Sequence, residues 1–281
     1  MLAALTLLPT LALVPPAPSS QEGGAWPRWR GPAHDGVSRE LAWDPAGRAE
    51  PLWRAQVGLG YSNVVISDGR LVTAGHDAEA LEDRIVRRDA RGGEEQRHFT
   101  VPAETMANFH GGGSLGTPTI DGDAVFASAR NGRVHCLDLA TGALRWERDY
   151  AADPGVEPIE YGYSAAPVVL GDTVYLALGP TFLAVARDGG DVRWRRDELG
   201  ETYATPVPMR VGERECFALF AGLGLVVVDR ADGAELARFP WTGTEGGTVN
   251  AGSPIVDGER VFISSAYGAG AALVDLADIG A

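Results

Sequence analysis

The feature that most constrains this chain is an internal repeat of about 45 residues, because a unit that short cannot bury its own apolar faces and must stack against copies of itself. One landmark is a strand that opens on proline. It recurs as Gly116-Thr117-Pro118-Thr119-Ile120, Ala165-Ala166-Pro167-Val168-Val169, Ala204-Thr205-Pro206-Val207 and Gly252-Ser253-Pro254-Ile255-Val256, with prolines 49, 39 and 48 residues apart. An earlier copy, Ser62-Asn63-Val64-Val65-Ile66, has Val64 at the proline position. A tight turn and a second strand follow each time, as in Asp68-Gly69-Arg70-Leu71-Val72, Asp121-Gly122-Asp123-Ala124-Val125, Gly171-Asp172-Thr173-Val174-Tyr175 and Asp257-Gly258-Glu259-Arg260-Val261. Such turns between β-branched runs are strong hairpin signals. The fourth copy, Gly212-Glu213-Arg214, is degenerate.

The second landmark is Cys136-Leu137-Asp138-Leu139-Ala140-Thr141-Gly142-Ala143-Leu144-Arg145-Trp146. It reads as a third strand, a turn, and a fourth strand carrying a Trp. Each repeat therefore supplies about four short strands, which is the signature of a propeller blade. The 37 glycines and 18 prolines fit many tight turns, and no amphipathic helical period follows the N-terminal region. A β-sandwich would also give short strands, but without a fixed four-strand period. The fold class is thus all-β, a β-propeller of four-stranded antiparallel blades.

The stretch from Cys136 to Trp146 resembles the pyrroloquinoline-quinone (PQQ) type propeller repeat, Ala-x-Asp-x-x-Thr-Gly-x-x-x-Trp, with Cys136 in place of the Ala. Ala184 to Trp194 keeps the Ala, Gly190 and the Trp, but Ala186 replaces the Asp. Asp229 to Gly233 keeps the turn, with Ala237 where the Trp belongs, and Asp89-Ala90-Arg91-Gly92-Gly93 is a weak first copy. The start, Trp26-Pro27-Arg28-Trp29-Arg30-Gly31-Pro32-Ala33-His34-Asp35-Gly36, is similar to the N-terminal signature of bacterial, planctomycete-type PQQ-binding-like propellers in the quinoprotein-alcohol-dehydrogenase-like superfamily. The resemblance runs from Trp26 to nearly the end. It implies that each Trp is a docking peg lying over the turn glycine of an adjacent blade, with Trp53, Trp146 and Trp194 as pegs and Gly142 and Gly190 as seats.

The expected organisation is a signal peptide or disordered leader over 1–24, an N-terminal strap over 25–50 packed on the propeller's side, and a propeller over 51–281. Blades fall at about 58–100, 112–150, 161–198, 201–240 and 248–281, so about five are present. Residues 51–57, with Trp53, read as a fourth strand that closes the last blade. The family implies seven or eight blades, so the favoured expectation is a fragment of a larger ring.

Composition narrows the function. A net charge of −14 argues against a nucleic-acid partner, which needs a basic face. All 24 basic residues are Arg, which removes lysine Schiff-base chemistry. Cys136 and Cys216 sit singly in apolar runs and read as small buried side chains; no CxxC or Cys/His cluster supports a metal site, and their pairing stays open. Leu2–Val14 has the length of a signal-peptide core, followed by Ala17-x-Ser19, and is too short to span a membrane. The expected location is therefore periplasmic or otherwise extracytoplasmic.

The residues that lead into each first strand should ring one mouth of the central channel. Tyr61, Ser62, His110, Tyr161, Tyr163, Tyr203 and Asn250 form this candidate binding surface, with Thr248 beside them. His110, in a glycine-rich loop, matches neither a Walker nor a dinucleotide-binding pattern. The resemblance implies, for PQQ dehydrogenases, a calcium held by Glu, Asn and Asp and often a disulfide between adjacent Cys; no such set is assignable here. The expectation is a non-catalytic binding or scaffold module for a protein or small ligand, with no cofactor. The alternative is a PQQ- and calcium-dependent quinoprotein oxidoreductase. A second alternative is a propeller like the outer-membrane protein assembly factor. If the indoles are pegs, Trp146→Ala removes on the order of 200 Å² of buried contact and costs about 3–5 kcal/mol in urea unfolding. A loss under about 1 kcal/mol excludes the role.

Overall fold

The computed structural model describes residues 25–40, 47, 50–105, 112–114, 116–157, 159–241, 249–266 and 268–277. Five antiparallel sheets follow one another along the chain. Blade 1 comprises β1 (Val65–Ser67), β2 (Arg70–Asp77), β3 (Glu82–Asp89) and β4 (Glu95–Pro102). Blade 2 comprises β5 (Thr119–Asp121), β6 (Ala124–Ser128), β7 (Arg133–Asp138) and β8 (Leu144–Asp149). Blade 3 is built from β9 (Val168–Leu170), β10 (Thr173–Leu178), β11 (Thr181–Ala186) and β12 (Val192–Arg196). Blade 4 is built from β13 (Val207–Val211), β14 (Arg214–Ala221), β15 (Gly224–Asp229) and β16 (Glu235–Pro240). In blade 5, β17 (Ile255–Asp257), β18 (Arg260–Ser265) and β19 (Gly270–Asp275) form three described strands.

The turn between third and fourth strands has one construction in the first four blades. The glycine N–H returns to the carbonyl four residues back: Gly93 to Asp89, Gly142 to Asp138, Gly190 to Ala186 and Gly233 to Asp229, at 2.8–3.0 Å. Where Asp is present its carboxylate also caps the turn, as when Asp138 Oδ1 accepts the Thr141 N–H at 2.8 Å. Blade 3 lacks that carboxylate, yet Gly189 and Gly190 both take positive φ and the backbone bond suffices. The extra residue absorbed by each turn appears as a register shift at one place per blade, at Arg87/Arg88, Cys136/Leu137, Ala184/Val185 and Val227/Val228.

The indoles sit where the resemblance implies. Trp146 covers Gly190, Trp194 covers Gly233 and Trp53 covers Gly93; a Cβ on those glycines would come within 3.0, 2.7 and 2.4 Å of the ring. Each indole N–H donates to the backbone carbonyl one residue past the turn's first position: Arg187 O at 2.9 Å, Arg230 O at 3.2 Å and Ala90 O at 3.2 Å. Gly142 is the correction. No Trp stands on blade 1's fourth strand, so Arg97 lies against Gly142 while Arg87 Nη1 donates to Leu139 O and Ala140 O. The guanidinium takes the carbonyl that an indole takes elsewhere.

Four apolar clusters fill the four joints between successive blades. Both cysteines are buried and unpaired, Cys136 in the blade 2–3 cluster and Cys216 in the blade 4–5 cluster. Blade 5 packs one face on blade 4 through Val261 and Ile263. On its other face the cross-strand row Ile255–Phe262–Leu273 is exposed. Residues 51–57 carry no strand, and Trp53 docks on blade 1 as Trp146 and Trp194 dock on the blades that follow theirs. The leader over 1–24 lies outside the described residues.

Gly233 and Gly171 both have positive φ, but a Cβ at Gly171 meets nothing within 4 Å. Gly171→Ala should cost only the backbone strain, about 1 kcal/mol. Gly233→Ala adds displacement of the Trp194 ring and should cost roughly 1–3 kcal/mol more in urea unfolding. Equal losses exclude the indole seat.

Candidate functional site

The strap is not on the propeller's side, as expected, but across the innermost strands. Trp26 forms a two-way bridge with Ile66 of β1, and Pro27 O accepts from Ile120 N of β5 at 2.7 Å. Arg28 Nη1 reaches Val169 O of β9, Trp29 Nε1 donates to Ser253 Oγ at 3.1 Å, and Arg30 Nη1 donates to Pro254 O at the edge of β17 at 2.6 Å. Blades 1, 2, 3 and 5 are thus fastened by five consecutive residues. Arg30 and Gly31 both have positive φ, and a Cβ at Gly31 would lie 2.8 Å from the Trp26 ring. The turn after them buries His34, whose Nε2 has no hydrogen-bond partner. Burial first, then Arg28 and Arg30, push its pKa down to about 4.

The lead-in loops are stitched in sequence around this end. Tyr61 N donates to Ser114 O at 2.8 Å, Asn63 N to Thr117 Oγ1 at 3.1 Å, Ala166 N to Thr205 Oγ1 at 2.9 Å, and Thr205 N to Ser253 Oγ at 3.2 Å. Of the expected rim residues, Tyr61 is 60% exposed, and Ser62 and Tyr161 are half-buried. Tyr163, Tyr203 and Asn250 are buried and form no contact surface. Tyr163 donates to Glu157 O and fills the blade 2–3 cluster with Tyr203. Burial, reinforced by Glu201, raises the Tyr203 phenol above its usual range, and its ring packs 5.7 Å from that of Tyr161. Asn250 donates to Ala221 O at 2.6 Å and accepts from Ser265 Oγ at 2.6 Å, which holds the last lead-in loop in place. His110 and Thr248 lie outside the described residues.

Sequence reasoning missed a hydrogen-bonded chain at the same end of blade 1. His76 Nδ1 contacts Asp83 Oδ1 at 2.9 Å, and His76 Nε2 contacts Thr105 Oγ1 at 2.7 Å. The order of groups is that of a hydrolytic triad, but His76 and Asp83 are buried and the cavity beside Asp83, about 10 Å³, holds at most one water. The chain ties β2, β3 and the loop after β4 together, and Leu59 closes over it through two backbone bonds to His76. The only sequence signal was the facing pair His76–Asp83 across the β2–β3 turn.

A cavity of about 530 Å³ forms a groove between blades 3 and 4. Its arginines are matched: Arg193 with Asp172, Arg210 and Arg230 with Glu215, and Arg214 with Asp229. Among the described residues no three His, Cys, Asp or Glu side chains gather to hold a metal ion. No helix among them is long and apolar enough to cross a membrane.

With this geometry in view, the comparisons define the class. The family model described as outer membrane protein assembly factor BamB matches residues 42–279, and the chain belongs to this family of PQQ-like propeller repeat proteins. The structure is similar to that of BamB from Moraxella catarrhalis, at 19% identity and a TM-score of 0.54, covering 78% of this chain and 60% of that one. It is also similar to the quinohemoprotein alcohol dehydrogenase of Comamonas testosteroni, at 13% identity and a TM-score of 0.64, covering 91% of this chain and 48% of that one. A europium-containing methanol dehydrogenase gives 13% identity and a TM-score of 0.52, covering 76% of this chain and 56% of that one. These likenesses establish the fold, and the chain spans about half to three fifths of each of those chains. A search of curated sequences finds no significant match.

The neutral His34 sets a pH dependence. Its folded pKa lies below the unfolded value, so the unfolded chain binds the extra proton between about pH 6.5 and pH 4. Stability should be full above pH 6.5 and fall by about 3 kcal/mol on descending to pH 4. His34→Gln should flatten that part of the curve in urea unfolding. An unchanged slope excludes His34 as its source.

Proposed function

We propose that the chain is a non-catalytic, extracytoplasmic binding propeller that presents the blade 1 side of its lead-in loops to a protein partner. The observation that carries this reading is a run of exposed apolar side chains in the lead-in to blade 1, in contrast to the buried Tyr163 and Tyr203 of the lead-ins to blades 3 and 4. Tyr61 is 60% exposed, Leu59 46% and Val64 43%, while Tyr163 and Tyr203 are buried. An exposed tyrosine flanked by aliphatics on a backbone already pinned to Ser114 and His76 suits a contact surface, because little order is lost on binding. Half-buried Ser62 supplies a polar group next to Tyr61. The family includes a protein described as an assembly factor of the outer membrane, which favours a protein partner and a location outside the cytoplasm. The alternative, a quinoprotein oxidoreductase, rests on the fold likeness alone.

Affinity capture from envelope extracts with immobilised protein tests the reading. Tyr61→Ser and Leu59→Ser should each leave the thermal midpoint within a few degrees and weaken the specific partner at least about tenfold, the loss of a 1.4 kcal/mol contact. Retention of the same partner at undiminished affinity by both variants overturns it.

A further inference from the structure

A cavity of about 290 Å³ lies between the strap and the lead-in loops of blades 1 and 2, lined by Trp26, Arg28, Trp29, Arg30, Asn63 and Thr117. Its charge is not balanced. Arg30 donates only to backbone carbonyls, Pro254 O at 2.6 Å and Asp35 O at 3.3 Å, and no carboxylate among the described residues lies within 4 Å of its guanidinium. The nearest carboxylate to Arg28 is Asp121, at 3.8 Å, and that carboxylate is already engaged by Arg187 Nε at 3.1 Å. Arg28 Nε is buried with no hydrogen-bond partner, and its Nη1 contact with Val169 O is long at 3.4 Å. The groove between blades 3 and 4 shows the contrast, since its arginines each face an acid.

Two partly buried, under-compensated guanidinium groups are a costly arrangement in a chain of net charge −14. Burial lowers both arginine pKa values, the sign of charge held against desolvation. We propose that this cavity binds a small oxyanion, a carboxylate or a phosphate, between Arg28 and Arg30. The planar forks of the two arginines match either group in two-bond geometry. Thr117 Oγ1 already accepts from Asn63 N, so its hydroxyl proton is available to donate to the anion. The indoles of Trp26 and Trp29 wall the site and lower its dielectric. The volume equals on the order of ten waters, enough for phosphate or a short dicarboxylate.

Titration of the intact protein with inorganic phosphate, and separately with succinate, tests the inference by calorimetry and by indole fluorescence, with sodium chloride at equal ionic strength as the control. Saturable binding of one or both anions, a higher thermal midpoint than in chloride, and at least a tenfold loss of affinity in Arg28→Gln and Arg30→Gln are expected. Phosphate alone or succinate alone would fix the class. No saturable binding of either up to about 10 mM, or unchanged affinity in both variants, overturns it. Arg30 also holds blade 5, so if Arg30→Gln does not fold, Arg28→Gln decides.

Discussion

The contact on which the rest of this structure depends is an indole lying on a glycine of the next blade. It does two things at once. The ring covers bare backbone that only a residue without Cβ can offer, and its N–H satisfies a carbonyl that the turn leaves unpaired. A four-stranded sheet with two apolar faces gains a fixed distance and angle to its neighbour from this one contact, and the inter-blade clusters fill the space so defined. At the blade 1–2 joint, where an arginine pair substitutes, the same carbonyl is still satisfied, which shows that the hydrogen bond is conserved in kind even when the ring is lost.

The pegs were legible as side-chain identities in a repeating motif, and so was one seat, Gly190, one repeat after Trp146; Gly233, the seat of Trp194, was not singled out although the same turn carries it. The strap's position was not legible. Its partners are the backbone atoms of Ile66, Ile120, Val169 and Pro254, and a carbonyl carries no signature in the sequence. The seat at Gly142 misled for the opposite reason, since its turn motif is the best preserved in the chain while its occupant, Arg97, looks like any polar residue on an outer strand.

The rim tyrosines show a third limit. Tyr61, Tyr163 and Tyr203 all lie four or five residues before their first strands, and the sequence groups them together. Burial separates them: Tyr163 and Tyr203 have a completed joint to fill, whereas Tyr61 borders blade 1 where the chain approaches it from outside the blade series. The His76–Asp83–Thr105 chain has the same origin, in that strand register brings His76 and Asp83 together and the loop after β4 supplies the third group.

The strap has a consequence for the order in which the molecule can be completed. Trp29 and Arg30 bond to residues 224 positions later, in the last blade described. During synthesis the blades can dock one after another as they emerge, each needing only its predecessor. The strap must wait for blade 5 before Trp29 and Arg30 are fixed. Fastening the strap to blade 5 is therefore a single long-range closure, the slow kind of step that loop entropy penalises.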